Sequence, residues 1–464
     1  MRPPVTWILT LTEVRDNRTV SRRKVISLER SDRIKSADDV GLRLDEAKQL
    51  LASVQRAVAA SQFRRDDERR AICGTCGHRQ SIKDYRARAI DTLFGRVDVR
   101  CPRYRCRRCA LTVAPPSLSR ATSEFDTIRA SLAAHLPYRV AADVLTRLLP
   151  VDAGAAHTTI RNRTAHIAER LEQSANQVGE HDGTEPAAAE LTLGLDTGFV
   201  RSNTPHVARH HAVLVGCAEG QRGERRRFTA IQSDEVEAAG VIRQHLDALG
   251  HGADTELTVL TDGAEGLRAL ARRAVGSSIT PVLDWFHIAM RLQHLRQKAR
   301  GLSTYVKTHH EAKARIRSEL ERLRWRLWHG RTDSVSRFRR ELSAAIRRFG
   351  RYDRGHRRRP QGHRELWAML FELERYVCNH EVIIPNYHRR QRAGLRVSTA
   401  LVESAVNSVV NQRMNKRRQM RWSEGGTRSL LRVRTAVING ELERLEPAHL
   451  PKSTNESVAM ALAA

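Results

Sequence analysis

Three short apolar runs in this chain each lead to an aspartate. Residues 191–195 (LTLGL) end on Asp196, 257–260 (LTVL) lead through Thr261 to Asp262, and 281–283 (PVL) end on Asp284. A carboxylate just past the C-terminal end of a buried strand stands at the open edge of a sheet, where α/β proteins place their sites. Three such acids at one edge are what a divalent-metal site needs. Asp284 also has a structural use: a helix begins directly after it, and His287 lies one turn on, so its carboxylate can cap that helix or bond the imidazole.

Cysteines supply a second candidate centre. Of seven, four form two Cys-x-x-Cys pairs, Cys73/Cys76 and Cys106/Cys109, and the odd total argues against a disulfide framework. The segment between them reads as a hairpin, with Ile90, Leu93, Val97 and Val99 on its strands and Gly95 at the turn. Two knuckles joined by a hairpin read as a zinc ribbon with a closed, structural Zn²⁺ site. Cys101 and His78 are nearby spares that leave the ligand set open, and free thiols are the alternative to metal. Cys217 and Cys378 sit in apolar surroundings and read as buried thiols.

A late stretch supplies a fourth acid. A helix starting near Leu401 buries Val402, Val406, Val409 and Val410, while Glu403, Asn407 and Asn411, four residues apart, line the opposite face. Glu403 thus stands on a polar stripe. Arg413, Lys416, Arg417, Arg418 and Arg421 follow it and form a track suited to a DNA backbone. The bland alternative for Glu403 is an exposed acid in a first helical turn.

These residues need positioning elements. Residues 1–66 read as two strands and an amphipathic helix over 40–62, with no chemical role beyond structure or dimer formation. Residues 67–117 hold the ribbon. Within 118–175, helices over 125–136, 138–149 and 157–171 resemble a helix-turn-helix, in which Thr158, Thr159, Arg161, Asn162 and Arg163 head the DNA-reading helix. A linker over 176–190 leads into 191–290, where a three-strand meander is followed by helix, strand, helix and strand. That order predicts an α/β, RNase H-like domain. Residues 291–397 read as a long all-helical insertion, with Trp325, Trp328 and Trp367 expected in its core. Residues 398–445 return to the α/β core with Glu403, and 446–464 read as a disordered tail.

With these motifs in view, the chain resembles bacterial insertion-sequence transposases of the DDE class. The resemblance rests on CGTCG with YRCRRC, then LGLDTGFV, TVLTDGAEGLR, VLDWFHI and VESAVNSVVNQRMNKRRQMRW. Asp284 and His287 resemble the Cys/Asp-x-x-His signature of Mutator-like relatives. The resemblance implies that Asp196, Asp262 and Glu403 are the catalytic acids, with Asp284, His287, Asn407 and Asn411 in support. It implies two Mg²⁺ (or Mn²⁺) ions, cleavage at element ends and strand transfer to target DNA, carried out by a homo-oligomer on double-stranded DNA. A DNA-binding regulator derived from a transposase, and an RNase H-like structure-specific nuclease, are the alternatives.

Composition agrees with a polyanionic partner. Lys plus Arg number 81 against 52 Asp plus Glu, a formal net charge of +29 in 464 residues. No apolar run is long enough to span a bilayer, and residues 1–16 lack a signal pattern, so a cytoplasmic, nucleoid-associated protein is expected.

Overall fold

The computed structural model describes residues 5–30, 33–110, 112–113, 118–151, 153–178, 188–304, 307–333, 335–351, 362–398, 400–415 and 420–442. The chain divides into two compact units, 1–173 with 440–464, and 174–439. The tail expected over 446–464 lies outside the described residues.

The first unit opens with a long antiparallel ribbon, β1 (Val5–Arg15) and β2 (Arg18–Arg30). Asp16 and Asn17 both have positive φ, 48° and 60°, the backbone of a two-residue hairpin turn whose twist matches the strands. Helix α1 (Leu44–Arg70) runs past Gln62, where the apolar periodicity predicts its end. Its extension is polar but laced by pairs one turn apart, Arg69 with Asp66 at 2.7 Å and Arg70 with Asp67 at 3.4 Å. Strands β3 (Ser81–Thr92) and β4 (Gly95–Arg105) form the second hairpin, and short β5 (Thr112–Val113) pairs with β4. Leu93 sits in that hairpin's turn rather than on a strand.

Three helices follow: α2 (Ser123–His135), α3 (Tyr138–Leu148) and α4 (His157–Val178). Leu93, Phe125, Ala141, Leu145 and Ile160 share one core, so the hairpin turn and the helices pack as a single body. Arg129, fully buried, bonds Asp126 at 3.0 Å and lies with its guanidinium 3.5 Å from the Phe125 ring centroid. Asp91 completes its neutralisation at 3.4 Å. A buried cation with two carboxylates is tolerable where an unpaired one is not.

The second unit is built on a mixed five-stranded sheet. Strands β6 (Glu190–Arg201), β7 (His210–Glu219) and β8 (Arg225–Ile231) form an antiparallel meander. Helix α5 (Glu235–Asp247), strand β9 (Glu256–Thr261), helix α6 (Glu265–Val275) and strand β10 (Thr280–Leu283) follow. The spatial order is β10-β9-β6-β7-β8, with β9 parallel to both β6 and β10. Leu191, Leu193 and Leu195 alternate onto the face covered by α5 and α6.

A helical body continues from the sheet edge: α7 (Trp285–Arg300), α8 (Lys307–Trp328), α9 (Val335–Arg351), α10 (His363–Asn379) and α11 (Tyr387–Arg392). Their core is continuous with Leu260, Val282 and Leu283 of the sheet. Trp328 packs against it, its ring 4.8 Å from Trp285 and 5.9 Å from Tyr387. Trp325 and Trp367 do not join the core as expected. They are 51 % and 45 % exposed, because the buried stripe of α8 runs through Ile316, Leu320, Leu323 and Leu327 and that of α10 through Leu366, Leu370, Leu373 and Val377. Cys378 is likewise exposed, one residue beyond that stripe, whereas Cys217 is buried.

The chain then returns to the sheet with α12 (Ala400–Ala405), which runs directly into a π-helix (Val406–Asn415), and with α13 (Glu424–Ile438). The π segment lies against β6 at Gly198, where a side chain would meet Val410 Cγ2 at 3.3 Å. No helix among the described residues is long and apolar enough to cross a membrane.

Candidate metal centres

Pairing register sets the position of the acids. Gly194 of β6 is level with Leu260 of β9, and Thr261 of β9 is level with Leu283 of β10. Counting two residues on from the first pair and one from the second brings Asp196, Asp262 and Asp284 into one row across three adjacent parallel strands. Asp262 and Asp284 stand just past the C-terminal ends of β9 and β10, whereas Asp196 lies within β6, which runs on to Arg201 in register with β7 instead of ending at Leu195 as the apolar run suggests. Gly194, Asp196 and Gly198 alternate with the leucines that face α5 and α6, so Asp196 looks toward the face on which the π-helix lies.

Local hydrogen bonds hold each carboxylate. Asp196 Oδ1 accepts the Thr197 amide at 2.7 Å, and Asp262 Oδ1 accepts the Ala264 amide at 2.9 Å. Asp284 is fully buried and caps α7, its Oδ1 accepting the Phe286 amide at 2.8 Å while Oδ2 lies 3.8 Å from His287 Nε2. Burial pushes the Asp196 carboxyl above its ordinary pKa. The Thr197 amide and His287 oppose that rise, and the charges of Asp262 and Asp284 add to it. The acids are thus close enough to repel, although, among the described residues, the four cysteines are the only group of three or more His, Cys, Asp or Glu whose ligand atoms all lie within 4.8 Å of one another. Glu403 falls on α12, and its side chain lies outside the described residues.

The helical body braces this edge through groups that sequence reasoning missed. Tyr376 of α10 donates its hydroxyl hydrogen to the Asp262 carbonyl at 2.6 Å. His380 Nε2 lies 3.0 Å from the Gly263 carbonyl, and its ring occupies the space that a Gly263 side chain would need. Gly263 itself has φ +101°, a backbone that favours glycine. Tyr387 of α11 donates to the Leu283 carbonyl at 2.8 Å, one residue before Asp284. Burial pushes both tyrosine hydroxyls well above the usual phenol range, so they remain donors.

The sulfur centre is compact. Cys73, Cys76, Cys106 and Cys109 converge in the first unit, with Cys76 Sγ and Cys106 Sγ 3.6 Å apart. The Gly77 amide bonds the Cys73 carbonyl at 2.9 Å, and Gly77 has φ +68°, which closes the first knuckle. Amides of Cys76 and Thr75 lower the Cys73 thiol to about 6, whereas the crowded sulfurs of Cys76 and Cys106, with burial, push Cys109 up to about 12. Four such thiols can hold a metal ion. Cys101 is buried on β4 and stands outside the group, with burial raising its thiol. His78 is exposed, its Nδ1 3.0 Å from the Cys76 carbonyl, and it too stands outside.

No protein-family model and no curated protein matches the chain. Geometry divides the residues expected to face DNA. On α4, Thr158, Arg161 and Asn162 are exposed and Thr159 is half-buried. Arg163 turns inward instead, 3.6 Å from Asp126, and that pairing competes with binding to a base. Thr159, Asn162 and Arg163 border a cavity of about 720 Å³ together with Arg88, Arg96 and Arg120. In the late stretch Arg421 is exposed, but Arg413 is buried, its guanidinium 5.3 Å from the Trp422 ring centroid. This corrects its assignment to a phosphate track, since a guanidinium in that position cannot reach solvent. Lys416, Arg417 and Arg418 lie outside the described residues. Asn407 and Asn411 are half-buried, and Asn411 Oδ1 accepts from Asn415 Nδ2 at 3.0 Å.

Proposed function

We propose that this chain is a DDE-type transposase with an RNase H-like catalytic domain, a zinc ribbon and a helix-turn-helix. The observation that carries the reading is the level placement of Asp196 and Asp262 on adjacent parallel strands, with the α12–π-helix segment returning over the same face. The meander followed by two parallel strands is the sheet order expected for RNase H-like enzymes. Asp196, Asp262 and Glu403 are the acids that would hold Mg²⁺. The donor set fits, because carboxylate oxygens suit Mg²⁺ and the repulsion at Asp196 is what a cation relieves. Bound there, two divalent ions would activate a water or a DNA 3′-hydroxyl and offset charge on the leaving oxygen.

The chain's own residues do the rest. Thr197 and Ala264 amides hold the acids' carboxylates, and Asp284 caps α7 rather than serving as a third catalytic acid. Tyr376 and Tyr387 fix the ends of β9 and β10, which carry Asp262 and Asp284. Thr158, Arg161, Asn162 and Arg421, all exposed, would bind DNA, and the four cysteines would hold a structural Zn²⁺. The protein would work as a homo-oligomer on double-stranded DNA.

An assay with a labelled element end, a plasmid target and Mg²⁺ tests the reading. A transposase cuts the end and joins it to the plasmid. Cleavage without joining indicates a nuclease, and binding alone indicates a regulator.

A further inference from the structure

The β1–β2 ribbon is the part of the first unit that the proposed chemistry does not use. One side of it is anchored. Glu13 accepts from Ser61 of α1 at 2.8 Å and from Arg64 at 3.0 Å, and Arg30 pairs with Glu46 at the start of the same helix. Leu28 is buried, and Leu9, Leu11 and Ile26 are half-buried. The rest of the ribbon is open. Among the described residues, neither strand pairs with a third, so both edges present main-chain groups to solvent. Val14 and Val20, next to the turn, are 60 % and 51 % exposed.

The distal half is strongly basic. Between residues 15 and 24 stand Arg15, Arg18, Arg22, Arg23 and Lys24, against the single acid Asp16. All five bases are exposed. Arg15 and Arg18 are direct cross-strand partners at the turn. Like charges placed opposite each other destabilise a ribbon in isolation. Their placement makes sense with an anion between or beside them.

We infer that the β1–β2 ribbon is a DNA-binding arm whose tip enters a groove of duplex DNA. A two-stranded ribbon fits the major groove, whose width is about 12 Å. There, arginines reach guanine edges or phosphates, and apolar tips such as Val14 and Val20 meet thymine methyl groups. Charge selects this occupant over a second copy of the chain, because pairing two such edges would set bases against bases. The inference rests on the reading of the chain as a DNA-acting protein and extends it to a segment outside the helix-turn-helix and the acid row.

The test uses the full chain and a fluorescein-labelled random-sequence duplex, with affinity followed by anisotropy as salt rises. Arg18→Ser/Arg22→Ser/Lys24→Ser should weaken binding and flatten the slope of log affinity against log salt by about 0.9 for each phosphate that is no longer neutralised. Val14→Ser should weaken binding with the salt slope unchanged, the signature of an apolar group inside a groove. Unaltered zinc content and circular dichroism would show that both variants are folded. If the parent chain binds the duplex and the triple variant binds it with the same slope, the arm is overturned while the functional reading stands. If the triple variant instead loses a dimer in sedimentation and keeps its DNA affinity, the ribbon is a self-association surface and the inference fails. A parent chain that binds no duplex defeats both the arm and the functional reading.

Discussion

Tyr376 and Asp262 are 114 residues apart in sequence, yet the tyrosine hydroxyl donates to the aspartate's own carbonyl at 2.6 Å. The bond ties the helical body to the strand end that carries an acid of the proposed site. Tyr376→Phe removes it and leaves a carbonyl without that donor. The expected cost is about 1–3 kcal/mol of stability, the range for a buried group left unsatisfied. Metal-dependent cleavage, measured well below the melting temperature, should fall as well. A stability loss with an unchanged cleavage rate would make Tyr376 a packing residue only.

Asp196 links the site to pH. Its native pKa is raised, first by burial. For a carboxyl raised above its unfolded value, the native state binds the extra proton, so its stabilising contribution is present at low pH and is lost as pH rises through the native pKa. At neutral pH Asp196→Asn should therefore melt higher than the parent, by about 2–4 °C for each kcal/mol relieved. The same variant should lose cleavage. Mg²⁺ should raise the melting temperature of the parent by mass action and that of Asp196→Asn by less. A variant that melts lower at neutral pH and higher in acid would reverse the sign and refute the role given to burial.

Asp284 and Glu403 are separable by substitution. Asp284→Asn keeps an oxygen for the Phe286 amide and should retain detectable cleavage, whereas Asp284→Ala loses the cap at a cost of about 0.5–2 kcal/mol. Glu403→Gln should fold, bind DNA and fail to cleave. Normal cutting by Glu403→Gln, together with a folded but inactive Asp284→Asn, would move the third acid to Asp284.

Metal analysis should find about one zinc per chain, the stoichiometry of a closed four-cysteine site. Cys106→Ser should lose the metal and destabilise the first unit, because binding and folding are coupled in such sites. Cys101→Ser should keep its metal, since that thiol stands outside the group. Zinc loss in Cys101→Ser would overturn the ligand set.

Much of the sheet is legible in the sequence because buried strands announce themselves as apolar runs, and the residue ending each run is fixed by the chain itself. Asp262 and Asp284 fall at strand ends on that basis, whereas Asp196 lies inside β6, because the less apolar continuation over 197–201 stays paired with β7. The bracing by Tyr376, His380 and Tyr387 is not legible: their partners are main-chain carbonyls, which leave no mark on sequence. Arg413 shows a different failure. It continues the spacing of Val402, Val406 and Val409 and so belongs on the buried stripe, but its place at the head of a basic run suggests solvent. Trp325 and Trp367 are misplaced by residue type, where the leucine spacing of α8 and α10 already marks the buried side.

Helices α6 and α7 each begin within a few residues of an acid in the row, α6 at Glu265 after Asp262 and α7 at Trp285 after Asp284. Their aligned peptide dipoles therefore direct two positive ends toward the same sheet edge. The edge is electrically mixed as a result: carboxylates supply negative charge for cations, and helix ends offset part of the carboxylates' mutual repulsion while favouring an approaching phosphate. Because those partial charges belong to the backbone, no side-chain substitution removes them. A chain stripped of an acid should thus still attract a DNA backbone to this edge, holding its substrate without cutting it.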